Sequence, residues 1–364
     1  IMEEIITSES VGRGHPDKTC DIIADSFLDE ALRQDPYSQM AVECAIKDDL
    51  LMIYGEQTTK AIIDYEKIAK DVLKDIGYTN DFRIIKQISI QSPEINKAVN
   101  KTKFCANDQG IVFGYATNES SDYMPLTISL AHNLMRKYEE YQKTNPLFFA
   151  DSKSQVSIKY VDGKPAAIDT ILLSVSHSEV LAQEEIYDLI KTNVVEKVLQ
   201  DVTIDKSKYN LIINPSGKFT IWGSFGDSGC VGRKIVVDTY GGVGKVGGGC
   251  FSSKNATKVD RSGAYFARYI AKNIVAHNLA DKCEIGISFG IGLEYPISLS
   301  LETFGTEKVS KEKIHKFIKE NFDLSVDNML KELDLLKPIF AKTACYGHFG
   351  NSEFSWEKIK KCKI

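Results

Sequence analysis

Apolar positions along the chain recur in a repeating order of helical and alternating patterns. From Pro16 to Leu32 they follow helical spacing, with Ile22, Ile23, Phe27, Ala31 and Leu32 on one face. Pro16 suits a first helical turn, and Asp35-Pro36 stops the helix. Alternation follows at Met40, Val42, Cys44 and Ile46, then a short run from Leu51 to Tyr54, which predicts two strands. Helical spacing returns from Tyr65 to Ile76 through Ile68, Ala69, Val72 and Leu73, with Gly77 as the C-cap.

The same order is met twice more. A helix is predicted near 125–142, then strands at 154–161 and 166–175 joined by the hairpin signal Asp162-Gly163, then a helix over about 184–199. A helix at 261–277 precedes strands at 284–293 and 297–304 and a helix from Lys311 to Asn321. Three helix–hairpin–helix units predict an α+β protein of three similar domains, each a sheet with helices on one face. The expected division is 1–103, 104–222 and 223–364. A sheet covered on one face leaves the other to a neighbour, so a homodimer is expected.

Composition narrows the class. A hydrophobic content of 43% with 26% charged residues is that of a globular protein, and a net charge of -5 argues against a general nucleic-acid binder. No apolar run approaches the ~18 residues of a membrane span. Residues 1–10 lack a basic and apolar leader pattern. The eight cysteines form no C-x-x-C and no zinc-ligand spacing, so they read as reduced, mostly buried thiols and the chain as cytoplasmic.

The chemistry concentrates in two segments. Residues 227–262 are dense in glycine and interleave Arg233, Lys234, Lys245, Lys254, Lys258 and Arg261 with Asp227, Asp238 and Asp260. Glycines admit close backbone approach to an anion, and the cations supply the charge that a polyphosphate demands. No window satisfies a P-loop, because Gly244-Lys245 is followed by Val246, and no G-x-G-x-x-G opens a βαβ unit. The second segment is TSESVGRGHPDK at 7–18. There His15 and Asp17 flank a helix N-terminus, either as an anion and Mg²⁺ site or as a capping box with a surface histidine. Glu43 and Glu56 lie in strands, where acidic residues usually face solvent, and Asp108-Gln109-Gly110 and Lys153 each precede or open a strand.

Taken together, these motifs resemble the S-adenosylmethionine synthetase family. The resemblance rests on GHPDK at 14–18, DQG at 108–110, FGYATNE at 113–119, GRKIVVDTYGG at 232–242, KVDRS at 258–262, ETFGTEK at 302–308 and YGHFG at 346–350. It implies three α+β domains related by pseudo-threefold symmetry and active sites built between two subunits of a homodimer or homotetramer. It implies attack of methionine sulfur on C5′ of ATP, then hydrolysis of the released triphosphate. It also places His15 beside the breaking bond, and Asp17 and Asp260 at Mg²⁺, two ions per site. Glu43 is placed at K⁺. Lys153, Arg233, Lys234, Lys254 and Lys258 match the cationic cradle, and Asp151, Lys218, Phe219 and Cys250 match further ATP-binding positions. Asp227 matches a residue between adenosine and methionine, while Glu56, Gln91, Asp108 and Lys258 match the methionine pocket.

Some positions depart from the family pattern. Arg13 stands where the family has Glu, and Ser253, Asn255 and Ala256 replace its usual residues. The loop from Gln91 to about Asn107 corresponds to a mobile lid, with Ala98, Cys105 and Asn107 at family glycine positions. Fewer glycines predict slower lid motion. Two other readings stay open: an ATP phosphotransferase, which would yield ADP or AMP, and a silent regulatory subunit, which would lack charged site residues.

Overall fold

The structure, a computed structural model, describes residues 2–92 and 103–364. Ala98 and most of the expected lid lie outside the described residues. In chain order, β1 (Glu3–Val11) leads into α1 (Pro16–Gln34), the hairpin β2 (Gln39–Lys47) and β3 (Leu50–Thr58), α2 (Tyr65–Ile76) and β4 (Arg83–Ile90). The second unit runs β5 (Gly110–Thr117), α3 (Leu126–Thr144), β6 (Phe148–Val161), β7 (Lys164–His177), α4 (Gln183–Ile190) and β8 (Asn210–Ile213). The third runs β9 (Gly229–Cys230), α5 (Val259–Ala276), β10 (Lys282–Phe289), β11 (Ser298–Glu302), α6 (Lys311–Asn321) and α7 (Val326–Glu332). The fold is the predicted α+β arrangement of three similar units.

Local chemistry sets the element ends. Asp64 caps α2 by accepting from the Lys67 N–H at 3.1 Å, and Gly77 ends it at φ 120°. Asp162 and Gly163 both take positive φ (48° and 76°), the two-residue turn that matches strand twist. The expected strands 284–293 and 297–304 are shorter, at 282–289 and 298–302, because the chain turns between them with Gly292 at φ 75°. The expected helix 184–199 is interrupted by a π turn over Lys191–Val195 before ending in Glu196–Leu199.

The three sheets are ordered β4-β3-β2-β9, β1-β6-β7-β8 and β11-β10-β5. Each hairpin therefore gains an edge strand from another unit. The strand ahead of α1 pairs with the second unit's β6, the one ahead of α3 with the third unit's β10, and the one ahead of α5 with the first unit's β2. The exchange closes in a ring. β1 pairs with β6 along its whole length, from Glu3 opposite Val161 to Val11 opposite Lys153.

Helices cover one face of each sheet. The inward side chains of β2 (Met40, Val42, Cys44, Ile46) are buried in a core that the first and third units share, and Ile158, Ile171 and Leu173 form the core of the second. At α5 the fit is tight: a Cβ on Gly114 would stand 2.0 Å from the Ala267 carbonyl carbon, so only glycine lets β5 lie on that helix. The opposite faces stay open in the single chain, with Met52, Ile85 and Ile111 exposed.

Candidate active site

The turn into α1 is set by two glycines against β6. The N–H groups of Gly12 and Gly14 donate to the carbonyls of Ser152 (2.9 Å) and Ala150 (3.2 Å). A Cβ on Gly14 would meet the Ala150 carbonyl carbon at 2.4 Å and the Asp151 nitrogen at 2.5 Å. His15 follows as the N-cap, buried, with its Nδ1 accepting the Asp17 N–H at 3.2 Å. Burial and the Lys234 ammonium, and to a lesser degree Lys153, outweigh the Asp17 carboxylate and push the imidazole down to about 3. His15 is neutral at physiological pH, and an accepting Nδ1 leaves its proton on Nε2 as a donor.

Asp17 sits in the first turn of α1 and is also buried. Its Oδ1 accepts the Cys230 N–H at 2.9 Å, its Oδ2 takes Lys234 Nζ at 2.6 Å, and Arg233 Nε lies 3.5 Å from Oδ1. Burial alone would raise its pKa; Lys234 and the Cys230 N–H more than compensate and hold it below the usual carboxylate range. β9 comes this close because Gly229 carries no side chain, since a Cβ there would lie 2.3 Å from the Pro16 carbonyl.

Around this centre Lys153 is exposed on β6, Arg233 is half exposed, and Asp227 is exposed beside both His15 and Arg233. Asp151 is buried, accepts the Gly223 N–H at 2.8 Å, and leaves Oδ1 without a hydrogen-bond partner among the described residues. Burial pushes its carboxyl up to about 6, against the Gly223 N–H and Lys153. Phe219 is tied to His177 by reciprocal bonds of 3.1 and 3.0 Å, which presents the exposed Lys218 beside it.

A second cluster lies on the outer face of the first sheet. Glu43 stands opposite Tyr54, and Glu56 opposite Ala41, whose backbone also bridges to Lys254. Lys254 Nζ meets Asp260 Oδ2 at 2.7 Å in the first turn of α5. Gly249 is packed onto that carboxylate, where a Cβ would fall 2.2 Å from Asp260 Cγ. Lys258 caps the same helix start; burial lowers its pKa, with Glu56, Asp108 and Asp260 acting against Lys254 and that burial. Burial likewise raises Glu43 against the opposing pull of Lys254 and Tyr54. Gln91 is buried with Oε1 unpaired among the described residues, whereas Asp108 is exposed. Burial pushes the Cys250 thiol up to about 11, so it is protonated at neutral pH. Of the lid's expected end, Cys105 and Asn107 are buried, and Asn107 N–H donates to the Thr257 carbonyl at 3.2 Å.

The structure brings His15, Asp17, Lys153, Asp227, Arg233 and Lys234 together at the turn into α1, and Glu43, Glu56, Cys250, Lys254, Lys258 and Asp260 at the start of α5. Asp151 flanks the first group, and Gln91 joins β3 through its N–H to the Gln57 carbonyl. Asp17 and Asp260 each offer one carboxylate with a lysine ammonium already resting on it. That donor set suits Mg²⁺, which is held by one or two carboxylates together with ligand phosphates and water. Glu43 offers the second cluster a further half-buried carboxylate. No group of three or more His, Cys, Asp or Glu side chains that could hold a metal occurs among the described residues.

Sequence reasoning missed what stands behind the site. Asp17, Asp21, Asp25 and Asp29 recur every fourth residue on α1, and all four are buried. Asp21 accepts from Lys18 Nζ (2.7 Å) and the Gly232 N–H (3.0 Å), and Asp25 from Arg261 through both oxygens and from the Ser253 N–H. Asp29 accepts from the Phe340 and Ala341 N–H groups at 2.9 Å. One helix face thereby anchors the loops that carry Arg233, Lys234 and Lys254. The signal was a four-residue carboxylate period on an otherwise apolar face, which demands buried partners.

Comparison with known proteins follows the same three units. The family descriptions "S-adenosylmethionine synthetase, N-terminal domain", "central domain" and "C-terminal domain" match residues 3–102, 103–219 and 221–358. An S-adenosylmethionine synthase of Mesoplasma florum is 49% identical across 100% of this chain and 99% of its own length. One from Mycoplasma capricolum is 46% identical (100% and 97%), and one from Sorangium cellulosum 44% identical (98% and 87%).

Proposed function

This chain belongs to the S-adenosylmethionine synthetase family, and from that premise we propose that it makes S-adenosylmethionine from ATP and L-methionine. The methionine sulfur attacks C5′ of ATP, a C–S bond forms, and the C5′–O bond breaks with its electron pair leaving on the triphosphate. The released triphosphate is then hydrolysed to pyrophosphate and phosphate. A thioether needs no general base, so the task of the protein is to place the sulfur and to offset charge on the leaving group.

The observation that carries this reading is a neutral, Nε2-protonated His15 fixed at a helix N-terminus among Lys153, Arg233 and Lys234. That set donates to an oxygen whose charge grows as the bond breaks, and it offers no competing nucleophile. Lys254 and Lys258 extend the cradle for the phosphates. Glu56, Gln91, Asp108 and Asp227 surround the amino acid, and Gln91 Oε1, unpaired among the described residues, accepts from its ammonium group. Asp17 and Asp260 would hold Mg²⁺ and Glu43 K⁺; when bound, these cations neutralise triphosphate charge that the lysines leave uncovered.

The open sheet faces with Met52, Ile85 and Ile111 favour a homodimer in which the clusters of two subunits complete each site. Eight free cysteines fit the reducing cytoplasm. We keep the division into 1–103, 104–222 and 223–364. The deciding experiment incubates the protein with ATP, methionine, Mg²⁺ and K⁺ and resolves the products. S-adenosylmethionine with equal pyrophosphate and phosphate is expected. ADP formed without methionine would mean a phosphotransferase, and ATP binding without turnover a silent subunit.

A further inference from the structure

Arg13 lies two residues before His15 and belongs to neither charge cluster. Its guanidinium reaches in the other direction, to Asp75 Oδ2 at 2.6 Å near the end of α2 and to Glu139 Oε1 at 3.3 Å in α3. Three segments from two units are thereby joined at one side chain: the turn into α1, the end of α2 and the C-terminal part of α3. The guanidinium is partly buried and Asp75 is exposed; desolvation lowers the Arg13 pKa, but its carboxylate partners outweigh that cost and raise it, so it stays charged at any working pH. Glu139 is braced in turn by Lys143 at 2.5 Å and by the Tyr346 hydroxyl, and these partners with Arg13 hold it ionised.

What lies beneath the link makes it matter. Arg13, Asp75, Glu139, Gly12, Gly77 and Tyr346 are among the residues around a cavity of about 210 Å³. The end of α2 packs into the core through Leu73 and Ile76, and on the cavity side the ion pairs of Arg13 add a polar tie from the turn to that helix and to α3. The Arg13 backbone is also part of the catalytic turn. Its carbonyl accepts Thr19 Oγ1 at 3.0 Å, and the His15 N–H closes back onto the Gly12 carbonyl at 3.2 Å. A displacement of Arg13 therefore carries Gly14 and His15 with it. At its other end the link holds the helix between β3, which bears Glu56, and β4, which leads to Gln91.

We propose that Arg13 is a positioning residue for the reaction proposed above: its paired contacts to Asp75 and Glu139 fix the His15 turn relative to the sheet that carries the amino-acid pocket. It touches no reacting atom. A loss of the link misplaces His15 against the breaking bond while leaving each binding surface intact, so it acts on kcat and spares KM. Misplacements of this kind cost between about tenfold and a hundredfold in rate.

The test compares wild type with Arg13→Ala, Arg13→Lys, Arg13→Glu and the charge-reversed pair Arg13→Glu with Asp75→Arg. It measures kcat, both KM values and Tm. The expected result for Arg13→Ala is a kcat at least about tenfold lower with KM values within about threefold of wild type. Arg13→Lys should recover part of the rate, and the reversed pair should exceed Arg13→Glu alone. Wild-type kcat in Arg13→Ala, or a loss that follows Tm with no rescue by lysine or by charge reversal, overturns the inference. Absence of S-adenosylmethionine from the wild type itself would instead count against the reaction.

Discussion

The two charge clusters differ in how finished they are. At the His15–Asp17 pair the protein supplies its own partners: Asp17 has both oxygens engaged and His15 has one nitrogen committed, while Asp151 beside them keeps one buried oxygen unpaired among the described residues. On the outer sheet face, Glu43 and Lys258 are partly desolvated without full compensation, and Gln91 Oε1 is buried with no partner among the described residues. The His15–Asp17 pair is organised before any ligand arrives and suits stabilising a transition state. The second is left incomplete, as a pocket must be whose last bonds come from a bound molecule.

That contrast predicts where substitutions act. The largest effect belongs to the finished cluster: Lys153→Met or His15→Asn should slow S-adenosylmethionine formation by about 10²–10³. His15→Asn should slow tripolyphosphate hydrolysis far less, because in the proposed reaction only the first step breaks the C5′–O bond. Equal losses in separate assays of the two steps would remove His15 from that bond. Next comes Gly14→Ala, which forces a Cβ into the Ala150–Asp151 backbone. It should destabilise by about 1–3 kcal/mol, read as a lower Tm, together with lost activity. An unchanged Tm would show that the turn can lift off β6.

In the unfinished cluster, Glu56→Gln should raise the KM for methionine about tenfold, roughly 1.4 kcal/mol, with kcat nearly unchanged. A kcat loss without a KM change would erase the distinction between the clusters. The smallest effect is on pH dependence. His15 has a folded-state pKa of about 3, below its ordinary 6.5. The unfolded chain therefore binds the extra proton first, and stability falls as pH drops from about 6.5 towards 3. Wild type should lose stability relative to His15→Asn across that window in urea titrations at stepped pH. Parallel curves would mean that the imidazole is not held neutral.

Much of this was legible in the chain. Residues 65–76 form the predicted helix with Asp64 and Gly77 at its ends, and Asp162-Gly163 makes the predicted hairpin. Both depend on local chemistry alone. The ring of exchanged edge strands was not legible. Ile5 and Ile6 in β1 are followed by TSES, so the segment shows little apolar alternation, and β9 is only two residues long. Their pairing is decided by distant partners. The candidate site divided in the same way. Its residue types stood out as motifs, but that Asp21 and Asp25 hold the Gly232 and Ser253 amides depends on long-range folding. A carboxylate period on an apolar helix face demands buried partners, but it does not say which distant residues supply them.

The exchanged strands also dictate a schedule for a chain made from its N-terminus. β1 has nowhere to dock until β6, more than a hundred residues later, has left the ribosome. β5 waits longer still, for β10. Two exposed strand edges must therefore be tolerated during synthesis. The polar TSES stretch of β1 keeps the first of them soluble while it waits.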